Sequence, residues 1–509
     1  MRNVAGSFIC LLLLVRPGWA DQPQAKIVEE NWNAAQLNGR SVGYSHMIVR
    51  ELAREGKKIY VSTVELKLNL RREGQAIQIG METGSEETAD GQVSRVWMRQ
   101  FQGTRTTVNL QGIVKQDELE VTVKDQNQNQ QEFKVPWDER AIGFYRQEKI
   151  FRERKVKPGD KFSFVTFEPT VNGLLTNRVT VKDHEEVQTL KGKKERLLRV
   201  EELPDKVEGP QGMMQLPGMT TWLDKDLRPI CSEFEMPLLG KMRLCRGDKS
   251  VVTAPGAAGM APEILVFIPL SRPIARPNET RSAVYRVTVK GDTDPGTAFV
   301  NCDRQKSANV KGDTFELRVQ AIPEPKLAAN PGKVKDEYLK SCFYINSDDS
   351  RVRKLARQAV GDETDPWAKA RLIERWVHDH MNVSFTRDFC SAGEVAKQLS
   401  GDCRQHSMLA AAMCRAVDVP SRTAIGLVYA TDRSGRIGMA FHMWTEVWID
   451  GQWLAIDPTR GEGHVGATHL KVTDSSWHDE TSLKPLLPVL RIAEKGKLSI
   501  KVIHVDYAD

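Results

Sequence analysis

The sequence predicts a multidomain chain: an N-terminal antiparallel β domain, a small β module and a C-terminal α+β domain. Three observations carry this. From about residue 25 to 250 apolar and polar residues alternate with the period of half-buried strands. Two stretches rich in small residues and proline, TAPGAAGMAP (253–262) and IPEPKLAANPGK (322–333), read as linkers. Beyond the second, helical patterns come first and strand patterns follow, which is the order of an α+β domain. At 509 residues the chain is too long for one ordinary core.

Residues 1–20 read as a secretory signal. Arg2 supplies the positive start, 8–15 (FICLLLLV) a short apolar core, and Gly18 and Ala20 small residues at the cleavage positions. The apolar run is too short to span a bilayer, and no later segment has the length of a membrane helix. The chain is therefore expected to be exported, periplasmic or extracellular, with no integral membrane span once the signal is removed. Removal leaves 71 basic and 67 acidic residues, net +4. That near-neutral balance, with no basic block interleaved with aromatics, argues against nucleic acid as a partner. Without Cys10, seven cysteines remain. An oxidising compartment favours pairing, and an odd count leaves room for one free thiol beside three disulfides. Cys231 with Cys245 is the most local pairing.

In the domain expected over 21–252, Val64, Leu66, Leu68 and Leu70 alternate with Glu65, Lys67 and Asn69; Leu119, Val121 and Val123 alternate with Glu120, Thr122 and Lys124. Asn38-Gly39 lies between two such runs. One helical patch, 137–152, interrupts them. This part reads as a large, curved antiparallel sheet with a binding or scaffold role and no catalytic constellation. The small β module, 263–321, shows short runs at Tyr285, Val287 and Val289 and at Phe315, Leu317 and Val319.

The domain expected over 334–509 opens with a helix at 348–360. A second begins at Asp365-Pro366, a cap followed by proline at the first helical position. Ser391-Ala392-Gly393-Glu394 reads as a capping box opening a short helix to Leu399. Gly401-Asp402 breaks it, and a core helix runs from Cys403 to about Val417. Strands follow at 422–429, 441–449, 452–457 and around Leu498, Ile500 and Val502. Eight of the ten histidines lie from His378 onward, so titratable chemistry concentrates here.

Three residues stand out. Cys403 occupies the first turn of the core helix, where the helix dipole favours an anion and lowers a thiol's pKa. Backbone N–H groups at such a start can also receive an oxyanion. His442 and Asp457 lie on the two arms of one predicted hairpin. Its turn, Asp450-Gly451, suits a two-residue loop with positive φ. Ile449 then pairs with Gln452, every cross-strand pair sums to 901, and His442 falls diagonal to Asp457 on one face. Diagonal Cβ atoms are roughly 7–8 Å apart, within reach of two polar side chains leaning together. A carboxylate that orients an imidazole, and an imidazole that deprotonates a thiol, make a nucleophilic triad.

The C-terminal third, about residues 335–505, resembles the transglutaminase-like superfamily. The resemblance rests on GDC at a helix start, on CRAVDVPSRTAIGLVY and on AFHMWTEVWIDGQWLAIDPT. It implies a papain-like α+β core, with Cys403 as nucleophile, His442 as general base and acid, and Asp457 as orienter. It also implies thiol chemistry, as cysteine protease, amidase or transglutaminase-type acyltransferase.

Other residues have lesser roles. His406 is expected in packing or at the rim, and Cys390 lacks a paired base. A zinc site from Cys403 and His406 has no second matching pair and no HExxH, so neither metal nor organic cofactor is expected. Trp444, Trp448 and Trp453 are expected to pack the hairpin, Trp444 also forming a wall of the site. Glu446 is expected at the surface. Trp444 and Gln405 are the candidates for substrate or oxyanion contact, with Glu446 a further substrate-contact candidate. The function read from the sequence is an exported thiol enzyme acting on peptide or side-chain amides through a thioester, with water the favoured acceptor. Its alternatives are a non-catalytic scaffold or envelope-binding protein and an amine-accepting crosslinker.

Overall fold

The computed structural model describes residues 25–508, apart from 73, 104, 191, 193, 237–238, 255–266, 327–331, 386–388, 433 and 495. The expected signal segment, most of the first linker and part of the second lie outside the described residues. No helix among the described residues is long and apolar enough to cross a membrane.

The N-terminal part is one antiparallel sheet, fourteen strands among the described residues. Eight strands from Lys26–Leu37 to Gln130–Pro136 follow each other as consecutive neighbours. The chain then returns to the first of them through Gly240–Arg246. Outward from there lie Pro229–Met236, Met219–Leu223, Lys194–Pro204, Gly173–Gln188 and Lys161–Glu168. Asn38 and Gly39 both take positive φ, as a two-residue hairpin turn requires. Cys231 and Cys245 face each other in register and form a disulfide. Cys302, Cys342, Cys403 and Cys414 are in no disulfide, so among the described residues the structure shows one of the three pairings that the count allowed.

The helical patch settles at Phe144–Arg154 and explains the curvature. Its Ile150 and Phe151 pack on Val179, Val181, Leu198, Val200 and Leu223, while Tyr145 stacks on Tyr60 with ring centroids 4.0 Å apart. Tyr60 and Leu198 lie on strands well separated in the sheet order. One helix touches both because the sheet curls around it.

The small module is not closed by its own strands. Thr280–Val289 pairs with Thr314–Gln320 on one side and with the chain's last strand, Leu498–Tyr507, on the other. The resulting four-stranded sheet lies against the C-terminal core. Tyr285 donates a hydrogen bond to the carbonyl of Ala467, and Arg304 donates to those of Val465 and Gly466.

The C-terminal part has the expected helices and then strands. Ser350–Val360 is capped by Asp349, and Pro366–His380 by Asp365, whose carboxylate accepts the N–H of Ala368 at 2.7 Å. Ala392–Gln398 forms as expected, but without the capping box. Ser391 turns its hydroxyl to Asp125 of the N-terminal sheet, 2.6 Å away and buried. A tertiary acceptor in the interior outcompetes the local backbone one.

The C-terminal sheet runs Phe267–Pro269, Ile437–Ile449, Ser421–Thr431, His469–Ser475, with Gln452–Ile456 paired to Ile437–Ile449. One glycine sets its spacing. Gly426 stands where the pairing of its strand with His469–Ser475 shifts register, and a Cβ there would lie 2.0 Å from the carbonyl oxygen of Leu470. Gly426→Ala is therefore expected to destabilise the fold by about 3 kcal/mol or more, because the obstacle is backbone and cannot repack. Urea midpoints of the variant and the parent measure this; a difference under about 1 kcal/mol would remove the steric argument.

Candidate active site

The helix Cys403–Arg415 begins at a cap of unusual charge. Asp402 is the N-cap: its carboxylate accepts the N–H of Arg404 at 2.9 Å, and the Gln405 side chain accepts the N–H of Asp402 at 3.0 Å. This reciprocal pair satisfies two donors that a helix start otherwise leaves unpaired. Asp402 is 1% exposed. Burial alone would raise its pKa, but the guanidinium groups of Arg404 (2.8 Å) and Arg72 (2.7 Å) hold it at about 2. Gly401-Asp402 thus both ends one element and starts the next. Cys403 is the first helical residue and is half-buried, whereas Met408 to Cys414 are wholly buried.

Two hydroxyls pin this helix to the strand Ile437–Ile449. The Ser407 hydroxyl lies 2.8 Å from the carbonyl oxygens of both Cys403 and Met443, and Thr445 donates to the carbonyl of Ser407 at 3.1 Å. On its outer side the same strand is paired by Phe267–Pro269 up to Ala440 and by Gln452–Ile456 from Thr445. His442 sits in the interval between them.

The hairpin forms with the expected register. Asp450 and Gly451 have φ of 48° and 87°, and the pairs run from Ile449↔Gln452 to Thr445↔Ile456. Asp457 follows directly. Its Oδ2 accepts Nε2–H of His442 at 2.7 Å. The other ring nitrogen, Nδ1, is not used by Asp457, and Cys403 lies near enough to act on the ring's charge. Burial works against a charged ring, but Asp457 and Cys403 outweigh it and hold the His442 pKa at about 10.

A fourth residue completes the cluster. His469, at the start of its strand and 3% exposed, also donates through Nε2 to Oδ2 of Asp457, at 3.0 Å. Oδ1 accepts the N–H groups of Thr459 and Arg460 at 3.0 and 3.3 Å. The N–H of Asp457 donates to Glu374 at 2.9 Å. Burial raises the carboxyl of Asp457, yet the two imidazoles override it and hold it well below the usual range. The two histidines respond oppositely. Burial pushes His469 down to about 4 despite Asp457, so it is a neutral donor. Burial also lifts Glu374 to about 7, against the N–H of Asp457. Neither His469 nor Glu374 was singled out from the sequence. A histidine opening the alternating run HLKVT was the available signal.

The Nε2 atoms of His442 and His469 and a carboxylate oxygen of Asp457 lie within 4.8 Å of one another, the one such group of metal-capable side chains among the described residues. All three are already joined by hydrogen bonds. His406, next to this group, is buried with Nδ1 2.8 Å from the carbonyl of Asp402, a packing role as expected. Cys390 is half-buried beside a different helix.

The lesser candidates land inside the protein. Trp444 is 0% exposed and fills the space beside His442 and His469, with ring centroids at 6.3 and 5.4 Å. Gln405, 1% exposed, is committed to the helix cap. Neither presents a surface to a substrate. Glu446 is buried rather than exposed, paired with Arg422 at 2.7 Å and Lys471 at 3.0 Å. The surface expected for it is covered: Lys471, which pairs with it, is held through its backbone by Gln305 of the small module. Trp448 and Trp453 pack edge to face on the hairpin as expected.

Residues 353–458 match the family model of the transglutaminase-like superfamily, and Cys403, His442 and Asp457 fall within that span. An uncharacterised protein of Haemophilus influenzae is 30% identical over 106 residues, 20% of this chain and 28% of that protein's length. The chain thus matches little more than a quarter of that curated relative. Among solved structures, "a Putative Cysteine Protease" from Cytophaga hutchinsonii is 16% identical, with 45% of this chain and 87% of that chain covered and a TM-score of 0.28. A β-barrel-like protein from Brucella abortus, of a domain of unknown function, is 12% identical, with 43% and 95% covered and a TM-score of 0.32. What the match defines is a transglutaminase-like core within a larger, strand-rich chain.

The opposed histidines give stability a signature on each side of neutrality. His469 is depressed from 6.5 to about 4, so its contribution is intact above 6.5 and is lost as pH falls toward 4, where the unfolded chain takes up a proton that the fold refuses. His442 is raised from 6.5 to about 10, so its contribution is intact below 6.5 and is lost as pH rises toward 10. His469→Gln, which keeps a donor but cannot titrate, is expected to flatten the loss between pH 6.5 and 4 by on the order of 2 kcal/mol and to leave the alkaline side unchanged. Urea midpoints across pH 4–10 measure both limbs. Parallel acid limbs in the two proteins would refute the assignment.

Proposed function

We propose that this protein is an exported thiol enzyme that opens peptide or side-chain amides through a thioester on Cys403. The observation that carries the reading is the buried His442–Asp457 pair, 2.7 Å apart, with Cys403 at a helix start close enough to help hold the ring charged. The match to the transglutaminase-like superfamily supports the same class of chemistry.

The steps follow from the groups present. Cys403 gives its proton to Nδ1 of His442; the resulting thiolate attacks the amide carbonyl carbon, and negative charge moves to the carbonyl oxygen. The backbone N–H of Cys403, at the positive end of its helix, is suitably placed to receive that charge. His442, protonated in this cluster, gives its proton from Nδ1 to the amine nitrogen as the C–N bond breaks. A thioester and a free amine result. The now neutral His442 takes a proton from water, the resulting hydroxide attacks the thioester carbon, and the C–S bond breaks. The Cys403 thiolate is restored beside protonated His442 and a carboxylic acid leaves. An amine in place of water would give transfer instead. We favour water, because no residue of the cluster is committed to holding an amine.

Cys403→Ala is expected to lower the rate on a casein or peptide substrate by at least about 10³-fold while leaving the urea midpoint within about 1 kcal/mol. Equal activity of variant and parent would assign the chemistry elsewhere. Ammonia release from a glutamine peptide distinguishes the two acceptors. Hydrolysis predicts a product acid whose yield is unaffected by an added primary amine; incorporation of most of that amine into product would make transfer the reaction.

A further inference from the structure

We infer that the N-terminal sheet is a working part of this active site, and that Arg72 is the residue through which it acts, a positioning residue that reaches the nucleophile across the domain boundary. The inference rests on the thiol-enzyme reading above and assigns the sheet a role within it.

Arg72 ends the strand Lys57–Arg72, and Gln75 opens the strand Gln75–Thr88; the two face each other at the tip of their hairpin. This tip lies against the start of the nucleophile helix. Arg72 Nη1 is 2.7 Å from Oδ2 of Asp402, the residue before Cys403. The guanidinium also lies over the ring of Phe385, 5.3 Å from its centroid, and Gln75 accepts the N–H of Phe385 at 3.1 Å. Asp125 holds Ser391, and Asn129 donates to the carbonyl of Phe343 at 2.8 Å, so the sheet grips the same region at several points. Of these contacts, Arg72 is the one that brings a charge to the residue next to the nucleophile.

The chemistry of the cap explains why a charge is needed there. Asp402 is buried and ionised one residue from a sulfur that must carry negative charge to react. Two like charges at that spacing repel strongly in a partly buried setting. Arg404 neutralises the carboxylate from its own helix, and Arg72 does so from the other domain. The charged groups around Cys403 are then Asp402 and Arg404 at its own helix start, Arg72 from the sheet, and His442 with Asp457 behind it. His406 one turn along the helix, with His378 near it on Pro366–His380, completes the titratable neighbourhood. Removing Arg72 leaves more of the Asp402 charge unopposed and makes the thiolate harder to form.

The full-length protein carrying Arg72→Met is compared with the parent, with Arg72→Lys and with Gln75→Ala. Iodoacetamide labelling of Cys403 is followed by peptide mass spectrometry from pH 5 to 9, beside the pH profile of kcat/KM. The Met variant is expected to label about three-fold more slowly at pH 7, with its profile moved about half a unit to higher pH. Lys is expected to restore most of the shift. Gln75→Ala, which loses a docking contact but no charge, is expected to leave the profile in place even where it lowers the melting temperature. A Met profile superimposable on the parent, or an equal shift in Gln75→Ala, would overturn the inference. Where the Met variant does not fold, Arg72→Gln and the Lys variant decide it by the same criterion. Failure of the thiol-enzyme reading looks different: the parent's Cys403 would then label no faster than it does in the denatured chain.

Discussion

Everything near the site answers to one buried charge, the carboxylate of Asp457. A carboxylate taken out of water is tolerated only when its lone pairs are met by donors. Here four donors meet it: two imidazoles on one oxygen and two backbone N–H groups on the other. They come from three places in the chain: the strand of His442, the strand of His469, and the turn that follows Asp457 itself. The position of each is constrained by the need to reach the same few ångströms. The two imidazoles are not equivalent. One lies toward Cys403 and is held charged, and the other faces only protein and is held neutral, so a single acid holds two imidazoles in opposite states.

The small β module takes its meaning from that arrangement. His469 can hold its place only if the backbone around it is fixed. The carbonyls at 465–467 are fixed by Arg304 and Tyr285 of the module. Gln305 exchanges two hydrogen bonds with the backbone of Lys471, two residues beyond His469. Lys471 in turn joins Arg422 on the buried Glu446. A layer of β structure laid on the C-terminal sheet therefore buries the ion pairs around Glu446 in a second, polar interior. The strand Leu498–Tyr507, which follows the C-terminal core in sequence, completes that layer.

What the sequence revealed, and what it did not, follows the same physics. The hairpin was legible because a two-residue turn fixes register, and register is arithmetic: Asp450-Gly451 places His442 and Asp457 without reference to the rest of the molecule. The helices capped by Asp349 and Asp365 were legible for the same reason, since a cap is a local bond. The two capping boxes show where locality ends. Ser391 and Glu394 have the right spacing, but Ser391 is taken by Asp125, 266 residues earlier in the chain. Asp402 and Gln405 form the box that was read only as a break. Glu446 was misread because its partners Arg422 and Lys471 become neighbours only once three strands are side by side. His469 escaped notice because nothing in its own neighbourhood names Asp457 as its acceptor.

The start of the helix Cys403–Arg415 depends on distant partners in the same way. A helix that begins at a cysteine needs an acceptor side chain just before it, and serine, threonine, asparagine or aspartate can serve. Aspartate is the electrostatically awkward choice, because it sets a full negative charge beside a sulfur that must itself become negative. The awkwardness is removed by arginine on both sides of the carboxylate. One of these, Arg404, is supplied by the helix itself; the other comes from a hairpin 330 residues away in sequence. A neutral cap would have left the helix start independent of the N-terminal sheet. With aspartate in that position, an ion pair joins the helix start to the N-terminal sheet.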